Sequence, residues 1–271
     1  MTDYARHMYY VNHPEIKERS NFSTFCNVGT EQSVVLGCYK GGQRGIYLLN
    51  VTNQELAGIE QVTAAHEMLH AAYERLSSSE RQRIDGLLED YYKNKLTDQN
   101  IKDTMDQYKQ TEPNDLVNEM HSIFGTEVGG LPSELEDYYK QYFTDRAKLV
   151  AYYSAYQEAF SSRQQQIKQA DAQLDMWKNQ IDELESTVKA QQSQLQAQRS
   201  ALNRDRANGN AEAYNDGVDD FNALVTQYNV KVSELQNLIT QYNQLIQTRN
   251  SIAFEERQLV QSISSSGIER Q

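Results

Sequence analysis

A heptad repeat of apolar residues fills most of the second half of the chain and restricts that half to long paired helices. The repeat runs from 149 to 202 and resumes in the same frame from 221 to 259. Its two parts are separated by a turn signal at 206–210. When the chain is folded at this turn, the apolar positions of the two runs face each other, as Leu195 and Phe221 do. An antiparallel coiled-coil hairpin is therefore favoured over a parallel dimer.

The first half has a different pattern and predicts an α+β fold. We expect a small, mostly helical domain over residues 1–140 and the hairpin over 141–271. Runs at 33–39 and 45–51 are rich in β-branched and aromatic residues, and they are expected to form a short β-sheet. The second of these strands is predicted to lie at an edge of the sheet.

Helix signals divide the rest of the first domain. Residues 1–25 predict a helix followed by a loop, and the polar stretch 94–112 predicts a connecting segment that is partly helical. Ser77 and Ser133 are each followed three residues later by a glutamate, which is the capping-box pattern of a helix start.

Composition excludes several classes of protein. The net charge of −12 argues against a nucleic-acid partner, because phosphate binding needs a basic face. No apolar run is long enough to span a bilayer, and the first residues lack an apolar signal core, so the chain is expected to be soluble. A removed N-terminal leader or an upstream membrane anchor remains compatible with this sequence.

The two cysteines, Cys26 and Cys38, leave two alternatives open. They can form one disulfide in an oxidising compartment or stay as buried thiols in a reducing one. The pair favours an extracytoplasmic or membrane-associated location, reached through a removed N-terminal segment.

Residues 66–70 read His-Glu-x-x-His within a helix predicted over 54–76. Residues four apart lie on one face of a helix, so His66 and His70 can bind one centre. Two imidazoles at this spacing suit Zn²⁺, and Glu67 between them suits a general base that activates water. Both histidines fall at the edge of the apolar stripe, where a partly covered site is expected.

A zinc ion held by two histidines needs a third protein ligand and an open position for water. The predicted helix 113–125 offers Glu119 at the edge of its buried face and His121 on the far side. Helix geometry therefore favours Glu119 as the ligand. His121 is left to bind a ligand, stabilise an oxyanion or face solvent, and Tyr73 and Tyr138 are further candidates for stabilising an oxyanion.

The His-Glu-x-x-His helix, followed 49 residues later by a helix that carries Glu119, resembles the gluzincin branch of zinc metallopeptidases. The resemblance covers about residues 40–130 and implies a minimal thermolysin-like catalytic domain. Ile123 stands where membrane-associated gluzincins usually carry an aspartate. The resemblance implies zinc ligands His66, His70 and Glu119 and the base Glu67.

These observations predict a zinc-dependent metallopeptidase, more consistent with an endopeptidase, that hydrolyses a peptide or protein substrate. Glu67 is the predicted base, with His121 and Tyr73 as assisting catalytic residues and Zn²⁺ as the cofactor. The hairpin is expected to dock an unidentified protein partner or to act as a spacer. Two alternatives stay open: a non-catalytic zinc-binding scaffold whose hairpin mediates protein interaction, and a metal-free cytosolic coiled-coil adaptor. An intact Glu67 favours the enzyme, and the missing aspartate at 123 favours the scaffold.

Overall fold

The structure of the protein is a computed structural model that describes residues 1–26 and 34–264. Residue 33 of the first predicted strand and residues 265–271 of the predicted hairpin segment lie outside the described residues. The fold is α+β, mostly helical with one small sheet, as predicted. Among the described residues, none of the helices combines the length and apolar character needed to cross a membrane.

Short strands alternate with helices near the start of the chain, and helices follow one another after residue 59. The strands are β1 (Pro14–Lys17), β2 (Gly37–Lys40) and β3 (Gly45–Leu49), and a 3-10 turn spans Gln54–Leu56. The helices are α1 (Asp3–Tyr10), α2 (Arg19–Phe25), α3 (Ile59–Glu74), α4 (Ser78–Asn94), α5 (Gln99–Thr111), α6 (Leu116–Thr126), α7 (Ser133–Tyr139), α8 (Arg146–Ala207) and α9 (Ala211–Ile263).

The chain divides into two compact units. One comprises Met1–Ser161 with Arg257–Gln271, and the other comprises Ser162–Glu256. The first unit contains the sheet, helices α1–α7, the start of α8 and the end of α9. The second contains the remaining lengths of α8 and α9.

The sheet of the first unit has the order β1-β3-β2, with β1 parallel and β2 antiparallel to β3. The prediction that 45–51 forms an edge strand is therefore wrong, because β3 has a neighbour on each side. In the part of the chain that the structure describes, the strand next to α3 with no second neighbouring strand is β2 instead. The prediction of a loop after the first helix is also wrong, since that segment contains β1 and α2.

A disulfide joins Cys26, at the end of α2, to Cys38 in β2. Cys26 is buried in a small cluster with Phe22 and Leu49 beneath the sheet. Of the two alternatives left open by the sequence, the structure has the bonded pair.

The main core forms where α3 packs against α6. Leu69 of α3 and Phe124 of α6 are fully buried there, and Tyr139 of α7 covers them. Gly125 allows the two helices to approach, because a Cβ at this position would lie 2.4 Å from Leu69 Cδ1 and 2.7 Å from Tyr139 Cε1. The contact sets the distance between the helices that carry the predicted ligands.

Gly125→Ala is expected to lower the free energy of unfolding by about 1–3 kcal/mol, because the added methyl overpacks a core that cannot shift freely. Gly86→Ala in the exposed part of α4 is the matched control, since a Cβ there would meet no heavy atom within 4 Å. Gly86→Ala should instead raise the free energy of unfolding by about 0.4–1 kcal/mol, because alanine reduces the conformational entropy of the unfolded chain. Urea denaturation of both variants checks this, and equal stabilities would contradict it.

The two predicted capping boxes have different outcomes. At the start of α4, the Ser77 hydroxyl accepts from the Glu80 N–H and the Glu80 carboxylate accepts from the Ser77 N–H, which confirms the first. At the start of α7, the N-cap is Pro132 and makes no side-chain cap bond, so the second prediction is wrong. The carboxylate of Glu136 is bound by Arg146 instead.

The helices of the second unit fit the predicted antiparallel hairpin. The Arg249 guanidinium donates to Asp171, and Arg163 lies 3.6 Å from Glu255. The midpoints of these pairs place the turn at 209–210, slightly later than the predicted fold at Asn208. Gly209 has a φ of 76°, a left-handed conformation that costs glycine little, so the chain reverses there.

Candidate metal centre

The predicted ligands of α3 and α6 lie together in the first unit. The Nε2 atom of His66 is 3.6 Å from Glu119 Oε2, and Nε2 of His70 is 3.5 Å from Glu119 Oε1. His70 and Glu119 are buried, and His66 is largely covered. The three side chains each offer one ligand atom, and these atoms lie within 4.8 Å of one another.

The spacing of these atoms fits a shared metal ion better than hydrogen bonds. Distances of 3.5–3.6 Å are too long for N–H···O bonds. Ligand atoms about 2.0–2.1 Å from a tetrahedral zinc ion would lie about 3.4 Å apart. Glu119 Oε2 is buried and has no hydrogen-bond partner. Such an oxygen is costly to bury without a cation, so these residues fit Zn²⁺.

The charges around the centre also favour a cation. Burial by itself would lower the pKa of His66, but Glu119, Glu127 and Glu67 raise it well above its ordinary value. Burial opposes ionisation of Glu119, yet His70 and His66 bring the pKa of its carboxyl below the ordinary value. The centre therefore contains three carboxyl groups and two imidazoles, a set that attracts a cation.

Two residues that were not singled out from the sequence lie at the Nδ1 atoms of the two imidazoles. Asn118 Oδ1 lies 3.0 Å from Nδ1 of His70, and Glu127 Oε1 lies 3.6 Å from Nδ1 of His66. Asn118 in turn donates to Asp115. The hydrogen bond with Asn118 fixes Nδ1 of His70, and the charge of Glu127 lies on the Nδ1 side of His66, so each Nε2 is left to bind a metal. Asn118 directly precedes Glu119, and Glu127 follows Glu119 by two helical turns. These sequence positions relative to Glu119 could have indicated both residues.

Asn118→Ala is expected to weaken zinc binding by about 10–100-fold, because His70 loses the partner that fixes its ring and its tautomer. Asn94→Ala is the matched control, since the Asn94 side chain donates to Asp90 on the exposed face of α4. Competition with a fluorescent zinc chelator measures both affinities. An Asn118 variant that binds zinc as tightly as the Asn94 variant would contradict the role of Asn118.

Glu67 is buried beside the three ligands and lies against β2. Burial raises the pKa of its carboxyl, while His66 and His70 oppose this shift. A raised pKa makes the carboxylate a better acceptor of a proton. The helical spacing had placed Glu67 further toward solvent, but the free edge of β2 covers it.

Tyr108 of α5 lies close to Glu119, and it too was not singled out from the sequence. Its hydroxyl is close enough to Glu119 to lower the pKa of that carboxyl. Burial, with the charge of Glu119 and Glu127, raises the pKa of Tyr108. The phenol therefore stays protonated and can donate a hydrogen bond at the centre.

The structure does not group His121 or Tyr73 with the ligands. His121 is fully buried, with Nε2 bonded to the Tyr138 hydroxyl at 2.8 Å, so the alternative in which it faces solvent is wrong. Helix α7 covers the face of α6 that the sequence pattern left open. Burial lowers the pKa of His121 to about 3, so the ring is neutral. The Tyr73 hydroxyl donates to Asp85 at 2.8 Å.

No protein-family model matches the chain, and no curated protein and no solved structure is significantly similar to it. The resemblance to gluzincins therefore stays a prediction from the sequence motif.

Proposed function

We propose that the protein is a zinc-dependent metallopeptidase of the gluzincin type. The observation that carries this proposal is the convergence of His66, His70 and Glu119 around a buried, unpartnered carboxylate oxygen. The presence of Glu67 beside them favours an enzyme over a structural zinc site, because a structural site is closed and needs no base.

His66, His70 and Glu119 would hold Zn²⁺, with Asn118 fixing the imidazole of His70 and the charge of Glu127 beside that of His66. When bound, Zn²⁺ supplies a Lewis acid that polarises a peptide carbonyl and makes water acidic enough to lose a proton near neutral pH.

Glu67 acts as the general base. Its carboxylate takes a proton from the attacking water as the oxygen adds to the carbonyl carbon. It then gives this proton to the amide nitrogen as the C–N bond breaks, so that an amine leaves. The two neighbouring imidazoles and the burial of the carboxyl tune this exchange.

Tyr108 and β2 are suited to bind the substrate. The protonated hydroxyl of Tyr108 can donate to the oxygen of the scissile carbonyl as negative charge develops there. The outer edge of β2 can pair with an extended peptide as an added strand through the backbone groups of Gly37 and the carbonyl of Tyr39. Backbone pairing recognises any extended peptide, which is consistent with an endopeptidase.

Metal content and cleavage together test the proposal. Protein purified without chelators should contain about one equivalent of zinc and cleave an unfolded protein such as reduced, alkylated casein. Treatment with 1,10-phenanthroline should abolish cleavage, and added Zn²⁺ should restore it. Absence of zinc would overturn the metal centre. Zinc without cleavage of any unfolded substrate would favour the scaffold instead.

A further inference from the structure

The free edge of β2 faces the proposed base. Leu49 N–H donates to Leu36 O at 2.8 Å, and the strand register pairs Cys38 with Tyr47. Hydrogen-bonded positions alternate along an antiparallel pair, so the backbone groups of Gly37 and Tyr39 point away from β3. They therefore form the open edge of the sheet on this side.

Glu67 is fitted closely to this edge. The backbone of Tyr39 lies beside the Glu67 carboxylate and favours its ionised form. A Cβ at Gly37 would lie 3.0 Å from Glu67 Oε1 and 2.5 Å from Thr63 Cγ2, so only glycine lets α3 come this near. The orientation of the carboxylate thus depends on where β2 lies.

The disulfide fixes the position of β2. Cys38 is located between Gly37 and Tyr39, the two residues that contact Glu67, and its partner Cys26 is anchored in the buried cluster with Phe22. A short edge strand has only one neighbouring strand to hold it. The covalent link ties β2 to α2 as well, which removes freedom from this edge.

We propose that the Cys26–Cys38 disulfide positions Glu67, by holding the Tyr39 N–H against its carboxylate, and that peptide hydrolysis therefore requires the oxidised protein. This inference depends on the proposed function for its effect on activity. Cys26 and Cys38 are positioning residues, because they act on Glu67 only through β2.

The Tyr39 amide reports the position directly, without any need for activity. Protein labelled with [¹⁵N]tyrosine gives one amide signal for each of its 18 tyrosines, and Tyr39→Phe identifies the signal of residue 39. In the oxidised protein this amide should exchange slowly with solvent. After reduction by tris(carboxyethyl)phosphine, or in Cys26→Ser/Cys38→Ser, its exchange should be at least about 10-fold faster.

Activity gives a second measurement. Misplacement of a catalytic group by about 1 Å costs about 10²-fold in rate, so kcat should fall by about that factor in the reduced protein and in the double variant. KM should change much less, and bound zinc should stay the same, because its ligands lie on α3 and α6. A uniform loss of structure would instead change kcat, KM and zinc content together.

A matched pair of variants isolates the contribution of the Tyr39 N–H. Tyr39→Ala removes the side chain and keeps the N–H, whereas Tyr39→Pro removes both. Proline is tolerated on an edge strand where the N–H does not face the neighbouring strand. We expect kcat of the proline variant to be about 10²-fold below that of the alanine variant, with equal zinc content.

The outcomes separate the two proposals. An oxidised wild type that does not cleave peptides overturns the proposed function. The exchange rate of the Tyr39 amide then tests, without any activity, whether the disulfide holds β2 against Glu67. An active wild type with the same amide exchange and the same kcat after reduction overturns the positioning alone. Equal kcat in the alanine and proline variants would also overturn it.

Discussion

Glu67→Gln is expected to lower kcat for peptide cleavage by about 10²–10⁴-fold while zinc stays bound. The glutamine amide has nearly the shape of the carboxylate, so it can keep its place beside β2. It cannot take a proton from water. The metal ligands His66 and His70 keep their partners on α6, so the change removes the base and leaves the centre intact.

Glu74→Gln is the matched control for this prediction. Glu74 lies on the same helix two turns later and contacts the same tyrosine, since it accepts from the Tyr39 hydroxyl and from the Gly42 N–H. It is exposed, and it is not one of the side chains that converge on the candidate metal centre. The ratio of kcat values between the two variants, with zinc measured in each, tests the role of Glu67. Similar activities in both variants would exclude it as the base.

Local periodicity was sufficient to find the residues that converge at the centre. His66 and His70 share a helix face because of their spacing, and Glu119 falls at the edge of the buried face of its own helix. These are properties of single helices, and a sequence displays them directly. The structure places these three side chains together.

The surroundings of the centre depend on packing between elements and could not be read in this way. Tyr108 lies in the polar stretch that predicted a connecting segment, and α5 brings it against Glu119. His121 faces away from the buried stripe of its own helix, so the sequence pattern predicts that it can face solvent. In the structure α7 covers it. In each case a second element, distant in sequence, decides the environment.

The order of the sheet was also beyond the sequence pattern. Strand β1 pairs with β3 across a long separation, with Pro14 beside Ile46. Proline is acceptable as the first residue of an edge strand, but it argues against a strand when the segment is read alone. Ile16 is 60% exposed, so β1 has no alternation of buried and exposed residues to reveal it. The hairpin was more predictable, because heptads define paired helices, while its role in docking a partner stays a prediction.

Arg146→Met is expected to lower the free energy of unfolding by about 3–5 kcal/mol, the largest effect on stability that we predict. The buried Arg146 guanidinium donates through Nη1 to Phe124 O at 3.1 Å and to Val128 O at 2.6 Å. Through Nε it donates to Glu136 at 2.9 Å. Methionine fills the space but leaves two carbonyls unsatisfied, at about 1–3 kcal/mol each.

The two carbonyls belong to the last turn of α6 and the residues just after it, so Arg146 secures the end of the helix that carries Glu119. Arg146→Lys should recover only part of the loss, because one ammonium cannot reproduce the planar fork of a guanidinium. Lys140→Met removes an exposed cation that pairs only with Asp137, and it should cost less than about 1 kcal/mol. Thermal denaturation of the three variants orders them. If the Arg146→Met variant were as stable as the Lys140→Met variant, Arg146 would not be what holds the end of α6.

Because Glu127 follows this last turn and lies against His66, Arg146→Met should also bind zinc less tightly, whereas Lys140→Met should not.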